Sequence, residues 1–157
     1  MLHGYSIELL CDIRTVPRSR HVPQFNKSAL ELTLPPSGIA YVHLAELGGL
    51  RHGRKDSSNG GWRNASFRGY ADYMETSEFA AGLDRLVELA SDRLGCLMCA
   101  EAVPWRCHRS LVADGISVRG WRVLDIIGRG VPRPHELTSF ARVDGLRISY
   151  PPPAEPA

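Results

Sequence analysis

Lysine is nearly absent from this chain: Lys27 and Lys55 are the two among 19 Lys and Arg residues. Positive charge therefore rests on guanidinium groups, which make forked contacts to anions that an ammonium does not. No apolar run approaches the length needed to cross a membrane. The N-terminus, MLHGYSIELLCDIR, lacks the charged start, long apolar middle and small-residue cleavage site of a secretory signal. There is no internal repeat and no phosphate loop of the GxGxxG or GxxxxGK type, which excludes two common ways of cradling a nucleotide. Cysteine is sparse. Of Cys11, Cys96, Cys99 and Cys107, three lie in or beside strand-like runs, so free thiols in a reducing cytoplasm are expected rather than a disulfide framework. The net charge of +2 is too small to announce a nucleic-acid partner by itself.

What is present suits one globular domain. A chain of 157 residues, 43% hydrophobic and 23% charged, has room for a single core. The expected domain spans residues 1–150, followed by a disordered Pro-rich tail over 151–157. Ile7 to Arg14 (IELLCDIR) reads as a buried parallel strand with Asp12 and Arg14 at its carboxyl end. Asn26 is a candidate N-cap for a helix from Lys27 to Leu34, which Pro35-Pro36 must end. IAYVHL forms a second strand. Residues 46–65 show no apolar period and read as a long functional loop. Ser66 to Met74 suggests a short helix, and Ser77 caps a longer one with Phe79, Leu83, Leu86, Val87 and Ala90 at core spacing. Leu94 to Ala100 forms a third strand, a helix follows Pro104, and Trp121 to Ile127 would return as a fourth strand through a right-handed crossover. Asp144-Gly145 marks a hairpin. The expected fold is α/β: a three-layer domain with a mainly parallel, open sheet of about four strands and a C-terminal hairpin.

In a parallel sheet the carboxyl ends of the strands share one side, where ligand crevices form. Asp12 and Arg14, His43 and Glu46, and Cys99 and Glu101 converge there. The segment CAEAVPWRCHR (99–109) adds Arg106, Cys107, His108 and Arg109 near a helix start, where thiols ionise more readily. Cys107 is thus the candidate nucleophile, with His108, Glu101 and Asp12 as its catalytic company. Glu101 is equally readable as a salt-bridge partner of Arg14 or Arg109. Cys96 and Cys99 spell CxxC, but on a strand residues three apart face opposite sides, which argues against a redox pair between those two. Cys99, Cys107 and His108 are the ligands that a divalent metal would use, although structural zinc sites usually show a second tight pair that is missing here. Arg14, Arg18, Arg20, Arg63, Arg68, Arg106 and Arg109, with Glu46, Trp62 and Tyr70, are the candidate substrate-binding residues. Arginines would hold phosphates while aromatic rings stack bases.

The motifs DIRTVPRSR (12–20), PQFNK (23–27), YVHLAELGG (41–49), NGGWRN with FRGYADYM (59–74) and MCAEAVPWRCHRS (98–110) run in order along the chain. Together they closely resemble the domain of unknown function 488 family, and PHELTSFARVDG (134–145) resembles its longer members. The resemblance implies a compact cytoplasmic α/β domain with Asp12, Arg14, Arg20, Glu101, Cys107, His108 and Arg109 as signature positions. It also implies a further strand ending in Gly-His-Ser, and then a helix, ahead of MLHGYS. Without that strand a sheet edge is expected to lie open.

The resulting expectation is an enzyme acting on an anionic small molecule, nucleotide-like ligand or nucleic acid. The alternatives are a non-catalytic binding module for nucleic acid or protein, and a metal-dependent hydrolase. No membrane partner is expected, and the oligomeric state is left open, with a dimer among the options.

Overall fold

The computed structural model describes residues 1–153. Three short strands form a parallel sheet: β1 (Leu9–Asp12), β2 (Ala40–His43) and β3 (Gly95–Met98), in the order β2-β1-β3. The register aligns Asp12 with His43 on one side and with Met98 on the other, so the three carboxyl ends are level. Every residue of β1 is buried, as its unbroken apolar run requires of a central strand covered on both faces. The outer edges of β2 and β3 pair with no other strand among the described residues.

Alternation along β1 sends Leu9, Cys11 and Ile13 to one face. There they join Phe79, Leu83 and Leu86 of α3 (Ser77–Leu89) and Leu111 and Val112 of α4 (Arg109–Val118) in the main core. Leu10 is buried outside that cluster, on the face served by α1 (Lys27–Thr33), whose Leu30 is its one buried residue. The expected three layers are therefore present. Gly115 of α4 lies so close to Leu83 that a Cβ would stand 2.9 Å from Cδ1, which sets the α3–α4 spacing. The helix α2 (Ala65–Tyr73) starts at Asn64, whose side chain accepts from the Ser66 and Phe67 amides. Thr76, not Ser77, caps α3. Asn26 precedes α1 without capping it, and its Oδ1 instead accepts from the Ser19 amide at 2.6 Å.

The expected fourth parallel strand does not form. Leu124–Asp125 (β4) pairs antiparallel with Arg133–Pro134 (β5), apart from the main sheet. Gly120, at φ +84, turns the chain away after α4, and Trp121, Leu124 and Ile127 are exposed rather than buried in a sheet. Asp125 is drawn instead toward α4, through His135 to the buried Asp114. The C-terminal hairpin forms as expected, with β6 (Arg142–Asp144) against β7 (Arg147–Ser149). Its two-residue loop has positive φ at Gly145 alone, as a type II′ turn demands. Ile148 and Tyr150 carry the hairpin into the main core. Pro152 packs against Gly60, so the chain after the hairpin is docked as far as it is described, and 154–157 of the expected tail lie outside the described residues.

Residues 46–65 are irregular, as expected, but closely tied down. Fully buried Asn59 donates from Nδ2 to Asp72 Oδ1 and Glu75 Oε1, both at 2.9 Å, while its Oδ1 accepts from the Tyr150 amide at 2.8 Å. The Arg54 amide and the Ser57 hydroxyl also donate to Asp72. These bonds satisfy buried polar groups that would otherwise be costly. No helix among the described residues is long and apolar enough to cross a membrane.

Candidate functional site

Because β1, β2 and β3 are parallel and in register, the segments that follow them meet at one end of the sheet. Asp12, at the end of β1, has no exposed surface. Arg14 grips it with Nε to Oδ1 at 2.8 Å and Nη2 to Oδ2 at 2.5 Å, and the Tyr41 hydroxyl of β2 donates to Oδ2 at 2.7 Å. Burial alone would raise the Asp12 carboxyl, but the bonds from Arg14 and Tyr41 outweigh it and hold the group below its ordinary value. Arg14 also donates to the Phe25 carbonyl at 2.7 Å, and His43 Nε2 bonds the Arg14 carbonyl at 2.8 Å. Asp12 and Arg14 thus neutralise each other and brace the loop after β1. This removes Asp12 as a proton-transfer group and Arg14 as an anion clamp.

The segment after β3 folds back on itself. Pro104–Arg106 forms a 3₁₀ turn, Cys107 and His108 follow, and α4 begins at Arg109. Arg109 Nη2 donates to the carbonyls of Glu101 and Ala102, both at 3.3 Å, tying the start of the segment to its end. Cys99 and Cys107 are thereby carried on the two limbs of the returned segment, and the Cys99 thiol donates to the Glu101 carbonyl at 3.6 Å. Each sulfur also accepts a backbone N–H at 3.3 Å, Cys99 from Glu101 and Cys107 from Arg109. The Cys107 thiol and the Glu101 amide pull Cys99 below the ordinary thiol range, whereas Cys99 and burial push Cys107 well above it. Cys99 is also the more exposed of the two, Cys107 being buried. Cys107, the expected nucleophile, is thus the less accessible sulfur, and Cys99 is the one open to a ligand. The residue pattern did not reveal this, because burial here depends on the return path of residues 100–106.

His108 sits behind the thiols. Its Nε2 lies 3.0 Å from the Ile13 carbonyl, which can only accept, so Nε2 carries the proton and Nδ1 presents a lone pair. That Nδ1 is 3.7 Å from Cys107 Sγ. Desolvation lowers the His108 pKa and keeps the ring neutral and basic. Gly49 presses against the ring so closely that a Cβ there would lie 2.3 Å from Nδ1, and the Tyr70 ring packs 4.9 Å away. Glu101 is exposed beside Cys99.

The remaining candidates divide. Arg18, Arg20 and Arg106 are exposed on the segments after β1 and β3 and form no ion pair among the described residues. Tyr70 is wholly buried, its hydroxyl donating to the Leu47 carbonyl at 2.8 Å, so it cannot stack on a base. Trp62 is likewise spent, stacked on Phe67 at 4.8 Å and edge-on to Phe140 at 4.9 Å against the C-terminal segment. Arg63 is exposed and Arg68 half-buried, next to Trp62 and Phe67 in sequence, Arg63 just ahead of α2 and Arg68 in its first half. Glu46 pairs with Arg85. In their place, Phe25 and Trp105 stand 48% and 61% exposed after β1 and β3, the aromatic surfaces that neighbour Arg18, Arg20 and Arg106 in sequence. The position of Trp105 within VPWRCHR was the available signal.

Among the described residues no three His, Cys, Asp or Glu side chains converge as metal ligands. His108 in particular turns Nε2 to a carbonyl and not toward Cys99. A concavity lined by Ser58, Glu75, Arg142, Asp144 and Arg147 lies under the hairpin, with charges of both signs and no thiol.

No curated protein and no solved structure matches this chain. The family model described as domain of unknown function DUF488 matches residues 1–116, which includes β1 to β3, both thiols and nearly all of α4, and the chain therefore belongs to the DUF488 family.

Proposed function

We propose that this protein is a cytoplasmic, single-domain, thiol-dependent enzyme acting on an anionic, nucleotide-like or nucleic-acid substrate, with Cys99 as the attacking sulfur. The observation that carries this reading is the accessible Cys99 sulfur, which accepts the Glu101 amide at 3.3 Å just past the level ends of a parallel sheet. That amide favours a thiolate on Cys99, and His108 Nδ1 stands 3.7 Å from the buried Cys107 sulfur behind it. Arg18, Arg20 and Arg106 supply positive charge that no carboxylate among the described residues pairs, suited to phosphate or carboxylate groups. Arg109 holds the segment's shape. Four unpaired thiols fit a reducing compartment.

The reading is tested in two steps. Limited iodoacetamide at neutral pH followed by peptide mass mapping is expected to label Cys99 first. Turnover of a panel of nucleotides and single-stranded oligonucleotides is then compared between the wild type and Cys99→Ser, and the variant is expected to lose at least about 100-fold. Full turnover in the variant would sink the assignment. A binding module is the second reading, favoured by exposed Phe25 and Trp105 beside the unpaired arginines. Its mark is oligonucleotide binding that weakens steeply with salt and survives Cys99→Ser.

A further inference from the structure

Away from the thiols, residues 121–136 form a flap that hydrogen bonds, not core packing, hold in place. From Arg119 to Ser139 no apolar side chain joins the main core or packs against it, whereas Val118 and Phe140 on either side do. Trp121, Leu124, Ile127 and Val131 are exposed. The hydrogen bonds from the flap to the rest of the described chain are few. The Trp121 amide donates to the Ile116 carbonyl at 3.3 Å, the Tyr5 hydroxyl is shared between the carbonyls of Gly128 and Gly130, and His135 meets Asp114 of α4. We infer that His135 is a pH-operated latch: as an imidazolium it joins Asp125 of β4 to Asp114 of α4, and on losing its proton it frees β4 and the loop after it.

The geometry requires both ring protons. The His135 side chain is 6% exposed, with Nε2 at 2.8 Å from Asp114 Oδ1 and Nδ1 at 3.2 Å from Asp125 Oδ2. Ionised carboxylates only accept, so each nitrogen must donate, and a neutral imidazole has one N–H. The two ends of the bridge are unequal. Asp114 is fully buried and also accepts from the Thr138 amide and hydroxyl and from the Tyr150 hydroxyl, which burial keeps protonated. The Asp125 side chain is 21% exposed and its bond is the longer one. A neutral ring therefore keeps its proton toward Asp114, turns a lone pair on the Asp125 carboxylate, and Asp125 moves to water. Arg133, opposite Asp125 in the ladder, and Glu136 are exposed and form no ion pair among the described residues, so neither replaces the lost proton. Because Asp114, and then Asp125, raise the ring's pKa, the latch is closed below the ordinary value of 6.5 and opens as pH rises through the raised one. Opening leaves the core standing, since Thr138 and Tyr150 still satisfy Asp114 and the flap takes no apolar side chain with it.

The test is hydrogen exchange of the full chain read by peptide mass at about pH 6 and about pH 9, with rates corrected for the intrinsic pH dependence of exchange. Peptides covering residues 121–133 are expected to lose protection by roughly tenfold at the higher pH, and there to exchange ahead of peptides from β1 and α3. His135→Gln is expected to show the same protection at both pH values. Asp125→Asn is expected to stay protected at both, because its carbonyl accepts from a charged ring and its amide donates to a neutral one. That side chain is partly exposed, so Asp125→Asn carries the comparison should His135→Gln fail to fold. Unchanged protection of the flap in the wild type overturns the latch. Flap peptides that exchange only together with β1 and α3 also overturn it, since the whole fold is then what opens. A wild-type pH response that persists in either variant overturns the bridge through His135 and Asp125.

Discussion

Gly49 is the residue on which the geometry of His108 depends. Any Cβ at that position collides with the imidazole, and the ring has little freedom because Ile13 holds one side and Tyr70 the other. Gly49→Ala is therefore expected to break the bond between His108 and Ile13 and to cost about 1–3 kcal/mol by overpacking, as measured by urea denaturation. A variant with wild-type stability would show that the ring is not held as described. At this scale the candidate site was partly legible. Asp12, Arg14, Glu101, Cys107, His108 and Arg109 do gather at the strand ends. Their roles were not legible, since a side chain's partner decides its chemistry and the partner is often far along the chain. Arg14 is cancelled two residues away by Asp12, Tyr70 is buried with its hydroxyl on the Leu47 carbonyl, and Cys107 is buried while Cys99 stays accessible.

Among the elements, β1, β2, β3 and the four helices lie close to where apolar spacing put them, because burial of one stripe or one run is a local property of sequence. The run from Trp121 to Ile127 looked equally strand-like and failed. Its fate is settled by the cluster of Asp114, Asp125, His135, Thr138 and Tyr150, none of which announces itself by period. Asp114 accepts from His135 Nε2 at 2.8 Å, from the Thr138 hydroxyl at 2.7 Å and from the Tyr150 hydroxyl at 2.8 Å, while Asp125 takes the other nitrogen of His135 at 3.2 Å. Hydrogen bonding to Asp114 raises the His135 pKa above 6.5; desolvation opposes it, and the bond to Asp125 adds to the rise. A group whose folded pKa is raised stabilises the fold fully below its unfolded value and loses that contribution as pH rises through the folded value. Stability measured by chemical denaturation is thus expected to decline as pH rises above about 6.5, and His135→Gln is expected to flatten that limb. Asp12 and Asp72 have lowered values, so their contributions are present above 3.8 and lost as pH falls through their folded values. An unchanged limb in His135→Gln would place the pH sensitivity elsewhere.

For the molecule as a whole, the family match and the packed core do not end at the same residue. The match stops at 116, yet Ile148 and Tyr150 complete the core and Tyr150 also satisfies Asp114 and Asn59. A chain ended after Ile116 would leave a gap beside Tyr70 and Val112 and strand a buried carboxylate. It is expected to lose cooperative thermal unfolding and to bind a hydrophobic dye, whereas a chain ended after Pro153 keeps both properties of the wild type. Cooperative melting of the shorter form would show that residues 117–153 are an accessory to an already complete core.

The placement of β1 in the middle of the sheet also governs how the protein is made. Leu9 pairs with Ala40 soon after synthesis, but its partner on the other side, Gly95, lies 86 residues downstream (95 minus 9). At about 5–20 residues per second, the most deeply buried strand of the sheet waits roughly 4–17 s on the ribosome with one edge bare. Contacts closed over such long loops form slowly even once the chain is complete. Production of this protein is thus governed by translation rate and chaperone cover of the nascent N-terminal segment as much as by the stability of the finished fold.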